Sequence, residues 1–346
     1  MHELTKNYNI HDFVKFRIIS NKHDHIRYTK LLPTEYDFYR TDDIKPDFEI
    51  IIGDFIPDNS ECIILDNKYY IKDHYLYCKE KYKSAEWSVE IQGLDTEKMI
   101  VKVSYNLPGS LLITDFVINF LINITLNRKG ISIIHGSAIQ NNSKKAFLFS
   151  AQGGAGKTSI AINALDTNYQ YLGDDTVIVF EDKVYNFIRP LNIFSYNYSP
   201  KIRKNMPYKK QIELFFKNLL KYIGINLVTK VDPRQLFPES IGRSGGLSKL
   251  FILIPRIETE IQVISKKDAL NFILYNQKLD GIPYEKYIQM YGFAFPDSSV
   301  AAFWQNYYRN LDQNLDENSI QFYLANVPQK YNNAVFHKIA KVIESE

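Results

Sequence analysis

Ten residues, Ser150 to Ser159, constrain this chain more than any other stretch: Ser-Ala-Gln-Gly-Gly-Ala-Gly-Lys-Thr-Ser. Glycines followed by a lysine and a hydroxyl residue at this spacing make a phosphate cradle, a P-loop. Gly153, Gly154 and Gly156, with Ala155 between them, let the backbone turn its N–H groups toward phosphate oxygens. Lys157 reaches the β- and γ-phosphates, and the Thr158 hydroxyl, with Ser159 beside it, can ligate Mg²⁺. Ala151 stands where the motif's first glycine is usual, which requires a negative φ at that position. The flanks fit: Lys145 to Ser150 reads as a short buried strand and Thr158 to Leu165 as a helix, so the helix N-terminus faces the phosphates.

The rest of the 346-residue chain leaves the partner open. Forty-two basic against 39 acidic residues give a formal charge of +3, too small to argue for nucleic acid or a membrane surface. Only Cys62 and Cys78 occur, too few for a four-cysteine metal site, and a reduced, cytoplasmic setting is the simplest expectation. The greasiest segment, Leu111 to Leu126, contains Asp115, Asn119 and Asn123 and falls short of a span of about 20 apolar residues. It reads as a buried helix closed by Lys129-Gly130.

Along the chain, short Tyr-, Ile-, Phe- and Val-rich runs predict strands at Phe48 to Ile52, Cys62 to Leu65, Tyr69 to Ile71, Trp87 to Gln92 and Met99 to Tyr105. Asp66-Asn67 supplies a hairpin turn, and Asn106 to Gly109 a break. The expected organisation is a β-rich N-terminal domain over 1–109 and an α/β domain over 110–346 (α+β overall) with a helical C-terminal region from Lys267 onward. His23, Asp24 and His25 read as a polar loop.

Ile131 to Gln140 and the strand entering the P-loop form a predicted hairpin. With a four-residue turn, Asn141 to Lys144, Gln140 opposes Lys145 and His135 opposes Ser150. A histidine there can share a proton with a catalytic carboxylate, and it equally suits a packed sheet position. Asp174 and Asp175 end a short strand; beside a triphosphate, one carboxylate can hold Mg²⁺ while the other accepts a proton. Pro238 to Gly246 is a glycine-punctuated loop of a kind that closes over substrates, with Arg243 a candidate phosphate contact. Between Tyr196 and Lys221, Ile212, Phe215, Leu219 and Ile223 recur at helical spacing, predicting an amphipathic helix with a solvated basic face.

His135-Gly136-Ser137-Ala138-Ile139, the P-loop from Gly153 to Thr158, and Asp174-Asp175 follow one another in the order found in the HPr kinase/phosphorylase-like superfamily. The chain resembles that superfamily over some 50 residues, including its members that modify peptides, the lasso-peptide kinases. The resemblance implies a P-loop kinase core related in fold to phosphoenolpyruvate carboxykinase, using ATP and Mg²⁺ to phosphorylate a hydroxyl, foremost a serine of a peptide or protein. Carried over, Asp174 is the general base, His135 its neighbour, and Thr158 with Asp175 the metal site. Ser159 replaces the glutamate of genuine HPr kinases, and no phosphorylase signature follows, which points away from HPr itself. Two other readings stay open: a nucleotide-binding regulatory protein without transfer chemistry, and a kinase for small-molecule hydroxyls.

Overall fold

A computed structural model describes all residues except 1–3, 21–33, 166, 195–197, 199, 222–227, 329–332 and 346. Its contacts divide the chain into two compact units, 1–132 with 277–311 and 133–276 with 312–346. The helical stretch after residue 109 and the helices of 277–311 cluster with the N-terminal strands. The fold is mixed α/β with two large sheets.

In the first unit, β1 (Leu4–Ile10), β2 (Val14–Ser20), β3 (Arg40–Thr41), β4 (Phe48–Ile52), β5 (Ile63–Leu65), β6 (Tyr69–Lys72), β7 (Tyr75–Tyr82), β8 (Ala85–Gln92) and β9 (Met99–Tyr105) form one sheet, ordered β3-β1-β2-β4-β9-β8-β7-β6-β5. Asp66 and Asn67 both take positive φ, 53° and 48°, the requirement of a type I′ hairpin turn. Three of these strands carry weaker sequence signals: charged residues fill the exposed faces of β2 and β7, while β1 turns Thr5, Asn7 and Asn9 outward and Lys6 inward. Cys78 is buried and Cys62 half-buried, and both are free thiols. The expected helix after Gly109 begins as a 3₁₀ turn (Gly109–Leu111), widens into a π-helical turn (Thr114–Ile118) and becomes α-helical over Asn119–Arg128. Its polar residues have partners: Asn119 accepts from Tyr36 at 2.6 Å, and Asn127 donates to the Phe303 carbonyl at 2.8 Å. No helix among the described residues is long and apolar enough to cross a membrane. The His23-Asp24-His25 loop lies outside the described residues.

The second unit is built on β10 (Ser132–Ile134), β11 (Gly136–Gln140), β12 (Lys145–Ser150), β13 (Gln170–Gly173), β14 (Val177–Phe180), β15 (Lys183–Tyr185), β16 (Leu191–Ile193), β17 (Thr229–Val231), β18 (Ser244–Arg256), β19 (Ile261–Val263) and β20 (Gln321–Pro328). The main sheet runs β10-β14-β15-β18-β12-β11-β13, and β20 joins it between β18 and β19. A continuous apolar run such as Ala146-Phe-Leu-Phe149 suits a strand covered on both faces, and all four residues are buried. The 13-residue β18 is the spine: it pairs in parallel with β12 on one side and β20 on the other. The C-terminal region is mostly helical, as expected, but β20 interrupts it, an extended segment that buries Phe322, Ala325 and Val327. Eight residues without a clean alternation, lying between two helices, are easily absorbed into a helical reading.

The β11–β12 hairpin is shifted by one residue from the expected register: Gln140 opposes Ala146, and Gly136, not His135, opposes Ser150. The turn is one residue tighter than expected: it closes on the Asn141 N–H to Lys145 carbonyl bond at 3.0 Å, with Asn142 to Lys144 between them and Lys144 in the left-handed region (φ 58°). Gly136 then lies so close to β12 that an added Cβ would stand 2.7 Å from the Phe149 carbonyl oxygen. Gly136→Ala should therefore cost about 1–3 kcal/mol, read as a lower urea midpoint at unchanged slope. A midpoint equal to wild type would show that β11 can move away freely.

The amphipathic helix forms over Tyr208–Lys221, but its apolar stripe points outward. Ile212, Phe215, Phe216 and Leu219 are exposed, and Leu214 is the residue buried. The helix is held from its other side, where Lys217 binds Glu213 and donates to the Val228 carbonyl at 2.7 Å. Ile223 lies outside the described residues.

Candidate functional site

The hairpin and β13 bring the candidate residues to one edge. β11 runs antiparallel to both β12 and β13, so β12 and β13 point the same way and end together. From the end of β12 the chain enters the glycine loop; from the end of β13 it enters Asp174-Asp175. The carboxyl ends of such strands are where ligands of α/β folds gather. The Gly136 N–H reaches the Asp175 carbonyl at 3.3 Å, fastening the second loop beside the first.

The glycine loop has the backbone its composition requires. Gly154 and Gly156 take positive φ, 85° and 87°, and Ala151 is not among the residues with positive φ. At Gly153 and Gly154 an added Cβ would meet nothing within 4 Å, so the loop's outer side faces open space. Ala155 is buried beneath it. Helix Lys157–Ala164 starts at Gly156, and no side chain caps it, leaving the positive end of its dipole directed at that space.

Lys157 is buried, and its ammonium donates to the Ala151 carbonyl at 2.6 Å and the Gln152 carbonyl at 3.2 Å. It also lies 3.2 Å from His135 Nε2. For the ammonium to donate there, Nε2 must be the unprotonated nitrogen, which puts the ring hydrogen on Nδ1. His135 thus neighbours the lysine. The His135 carbonyl accepts from Ser150 Oγ at 3.0 Å, so the residue stays beside the loop despite the register shift.

Thr158 Oγ1 donates to Asp174 Oδ2 at 2.7 Å, while Asp174 Oδ1 is buried without a hydrogen-bond partner. Burial, reinforced by the negative charge of Asp175, pushes the Asp174 carboxyl up to about 6. The Thr158 hydrogen bond and the Lys157 charge oppose that shift without cancelling it. Asp175 is exposed, with φ at 72°. The structure therefore joins Thr158 to Asp174, where the sequence pairing was Thr158 with Asp175. Ser159 sits half-buried one residue further along the helix.

Arg243 is not brought to this edge. In the parallel β12–β18 pairing Lys145 opposes Gly246 and Ser150 opposes Ile252, so Arg243 precedes the opposite end of the sheet. Five residue steps separate Lys145 from Ser150, roughly 17 Å. Nor is Pro238 to Gly246 built as a lid. Ser240 and Gly242 bond to Tyr171 of β13 at 2.6 and 2.9 Å, and the Arg243 carbonyl accepts from Asn186 at 2.9 Å. Its glycines serve close packing: a Cβ at Gly242 would stand 2.4 Å from Gln140 Nε2.

One residue at the site is not named by any motif. Asn276, on helix Lys266–Asp280, donates from Nδ2 to Ser150 Oγ and the His135 carbonyl, both at 3.0 Å, and to the Ala151 carbonyl at 3.2 Å. Its Oδ1 accepts from Gln152 Nε2. The available signal was positional: Asn276 continues the buried stripe Ala269, Leu270, Ile273, where a polar side chain needs partners.

No protein-family model matches the chain, and no curated protein matches its sequence. A solved structure, the Hpr(Ser) kinase/phosphatase from Coxiella burnetii, aligns with 38% of this chain and 78% of its own at 10% identity and a TM-score of 0.21. A likeness of that degree carries no weight beside the site's own geometry.

Proposed function

We propose that this chain is a P-loop phosphotransferase, an ATP- and Mg²⁺-dependent kinase acting on a hydroxyl group, foremost a serine of a peptide or protein. The observation that carries the reading is the convergence of Lys157, Thr158 and Asp174 at one strand edge, with Thr158 hydrogen-bonded to Asp174 at 2.7 Å. The groups present suit a nucleotide's phosphates: a loop open on its outer side, an uncapped helix start, a lysine and a hydroxyl. They also suit Mg²⁺, since the Thr158 hydroxyl and the Asp174 and Asp175 carboxylates form an oxygen set of the kind a hard cation takes.

In the reaction proposed, Lys157 exchanges its loop carbonyls for phosphate oxygens, as the lysine of such a loop does. The loop N–H groups hold the chain of phosphates, and Asp174 takes the proton of the attacking hydroxyl. Thr158 and Asp175 would hold Mg²⁺, which would supply neutralisation of phosphate charge. A carboxyl near 6 is well matched to the base role, being ionised at neutral pH yet more basic than an exposed aspartate.

Intact-mass spectrometry of candidate serine peptides incubated with the protein and Mg·ATP tests the proposal. Gain of one phosphoryl group by the peptide is expected. Tight nucleotide binding with no transfer to peptide, protein or small-molecule hydroxyl would replace it with the regulatory reading.

A further inference from the structure

Lys157 cannot serve a phosphate and stay where it is. Its ammonium is bound to the buried Ala151 carbonyl and to the carbonyl of exposed Gln152, which the Ala155 N–H also reaches at 3.4 Å, so leaving them removes a donor chiefly from Ala151. A buried carbonyl without a donor is costly enough to oppose the movement. Asn276 is placed to lower that cost. Its Nδ2 hydrogens, shared over three acceptors, already reach the Ala151 carbonyl that the lysine would abandon. The same amide grips Ser150 Oγ and the His135 carbonyl, and its Oδ1 holds the Gln152 side chain. The two ends of one amide thus span the three residues that open the loop.

We infer that Asn276 is a positioning residue for phosphate binding: it keeps the Ser150–Gln152 segment in shape and its buried Ala151 carbonyl satisfied when Lys157 turns outward. The inference rests on the phosphate-site reading of the loop, but not on transfer. It predicts that Asn276 acts on nucleotide affinity more than on turnover, because it touches no reacting atom.

Dissociation constants for a fluorescent ATP analogue with Mg²⁺ decide the matter, measured for wild type, Asn276→Ala, Asn276→Asp and Ala269→Gly. Asn276→Ala should weaken binding roughly tenfold or more, with kcat at saturating ATP within about threefold of wild type. Asn276→Asp is nearly isosteric and tests the hydrogen-bond direction, since a carboxylate would face three oxygens. Its affinity relative to wild type should be worse than that of the alanine variant at pH 8 and should recover at pH 5.5, where a protonated carboxyl can donate. Ala269→Gly loosens the same helix from a buried position without touching the loop. It should lower the Tm and leave the dissociation constant alone.

Binding by Asn276→Ala within about twofold of wild type, or an equal loss in Ala269→Gly, would overturn the inference. Wild-type binding without phosphoryl transfer would sink the kinase reading alone, and the affinities would still judge Asn276. No binding by wild type would take down both.

Discussion

Lys157→Ala should remove phosphoryl transfer and weaken Mg·ATP binding by more than about 100-fold, the loss of two or more charge-assisted hydrogen bonds to phosphate. The same substitution has a second, opposite-looking consequence in the nucleotide-free protein. Lys157 is buried and donates to two carbonyls, so its removal leaves the Gln152 carbonyl with only the Ala155 N–H at 3.4 Å and the Ala151 carbonyl with only Asn276. The expected stability loss is about 1–3 kcal/mol, a modest effect beside the loss of binding. Measuring the Tm with and without nucleotide separates the two. Wild type should gain stability with added Mg·ATP by mass action, and Lys157→Ala should gain none. If the variant is stabilised as strongly as wild type, the lysine does not hold phosphate. Arginine at this position should not rescue, because its broad guanidinium cannot replace a compact ammonium in a buried niche against His135 Nε2.

Local chemistry made the centre of this site legible, and tertiary geometry hid its surroundings. Glycine, lysine and threonine spacing located the loop because each residue type answers a backbone or ligand requirement within ten consecutive residues. The strand Lys145–Ser150 and the helix beginning at Lys157 flank it as that spacing demands. Asp174 was legible for a similar reason, as one of two carboxylates following a short strand. Arg243 was misplaced because chain order does not say at which end of a sheet a loop emerges; the parallel pairing of β12 with β18 decides it. The hairpin register slipped by one residue because Lys144 adopts a left-handed conformation that composition does not announce.

The helix Tyr208–Lys221 shows a different limit. Periodicity identified the helix but not the direction of its apolar stripe. That stripe faces outward: Leu214 is the buried residue, and Gln211 and the Lys217 ammonium donate to the Met206 and Val228 carbonyls. Asn276 lies more than a hundred residues from the loop it braces, and only the fold places it at Ser150 and Ala151. Motifs thus report groups that meet the ligand, whereas the residues that hold those groups in place are dispersed along the chain.

Asp174→Asn should reduce transfer by about 10²–10⁴-fold, the usual worth of a general base, and leave Mg·ATP affinity within a few-fold of wild type. The shape is kept and an amide oxygen still accepts from Thr158, so the loss isolates basicity. Loss of Mg²⁺-dependent binding in parallel with transfer would instead make Asp174 a metal ligand, a role its contact with Thr158 also permits. Two pH profiles sharpen the test. For wild type, kcat/KM should rise with pH through about 6 as the carboxyl ionises. Stability should move the other way. The folded carboxyl is raised from its ordinary 3.8, so the protonated form is favoured by folding; that contribution is present at low pH and is lost as pH rises through about 6. The amide of the Asp174→Asn variant would carry no such dependence. The stability of wild type relative to the variant should therefore fall between pH 4 and 6 and stay low above, leaving Asp174→Asn the more stable protein at neutral pH. A side chain that makes the fold less stable at the pH where it is ionised, with one oxygen buried and unpartnered, fits the base role proposed for it. Equal pH dependence in wild type and variant would remove that argument and with it the assignment of Asp174 as base.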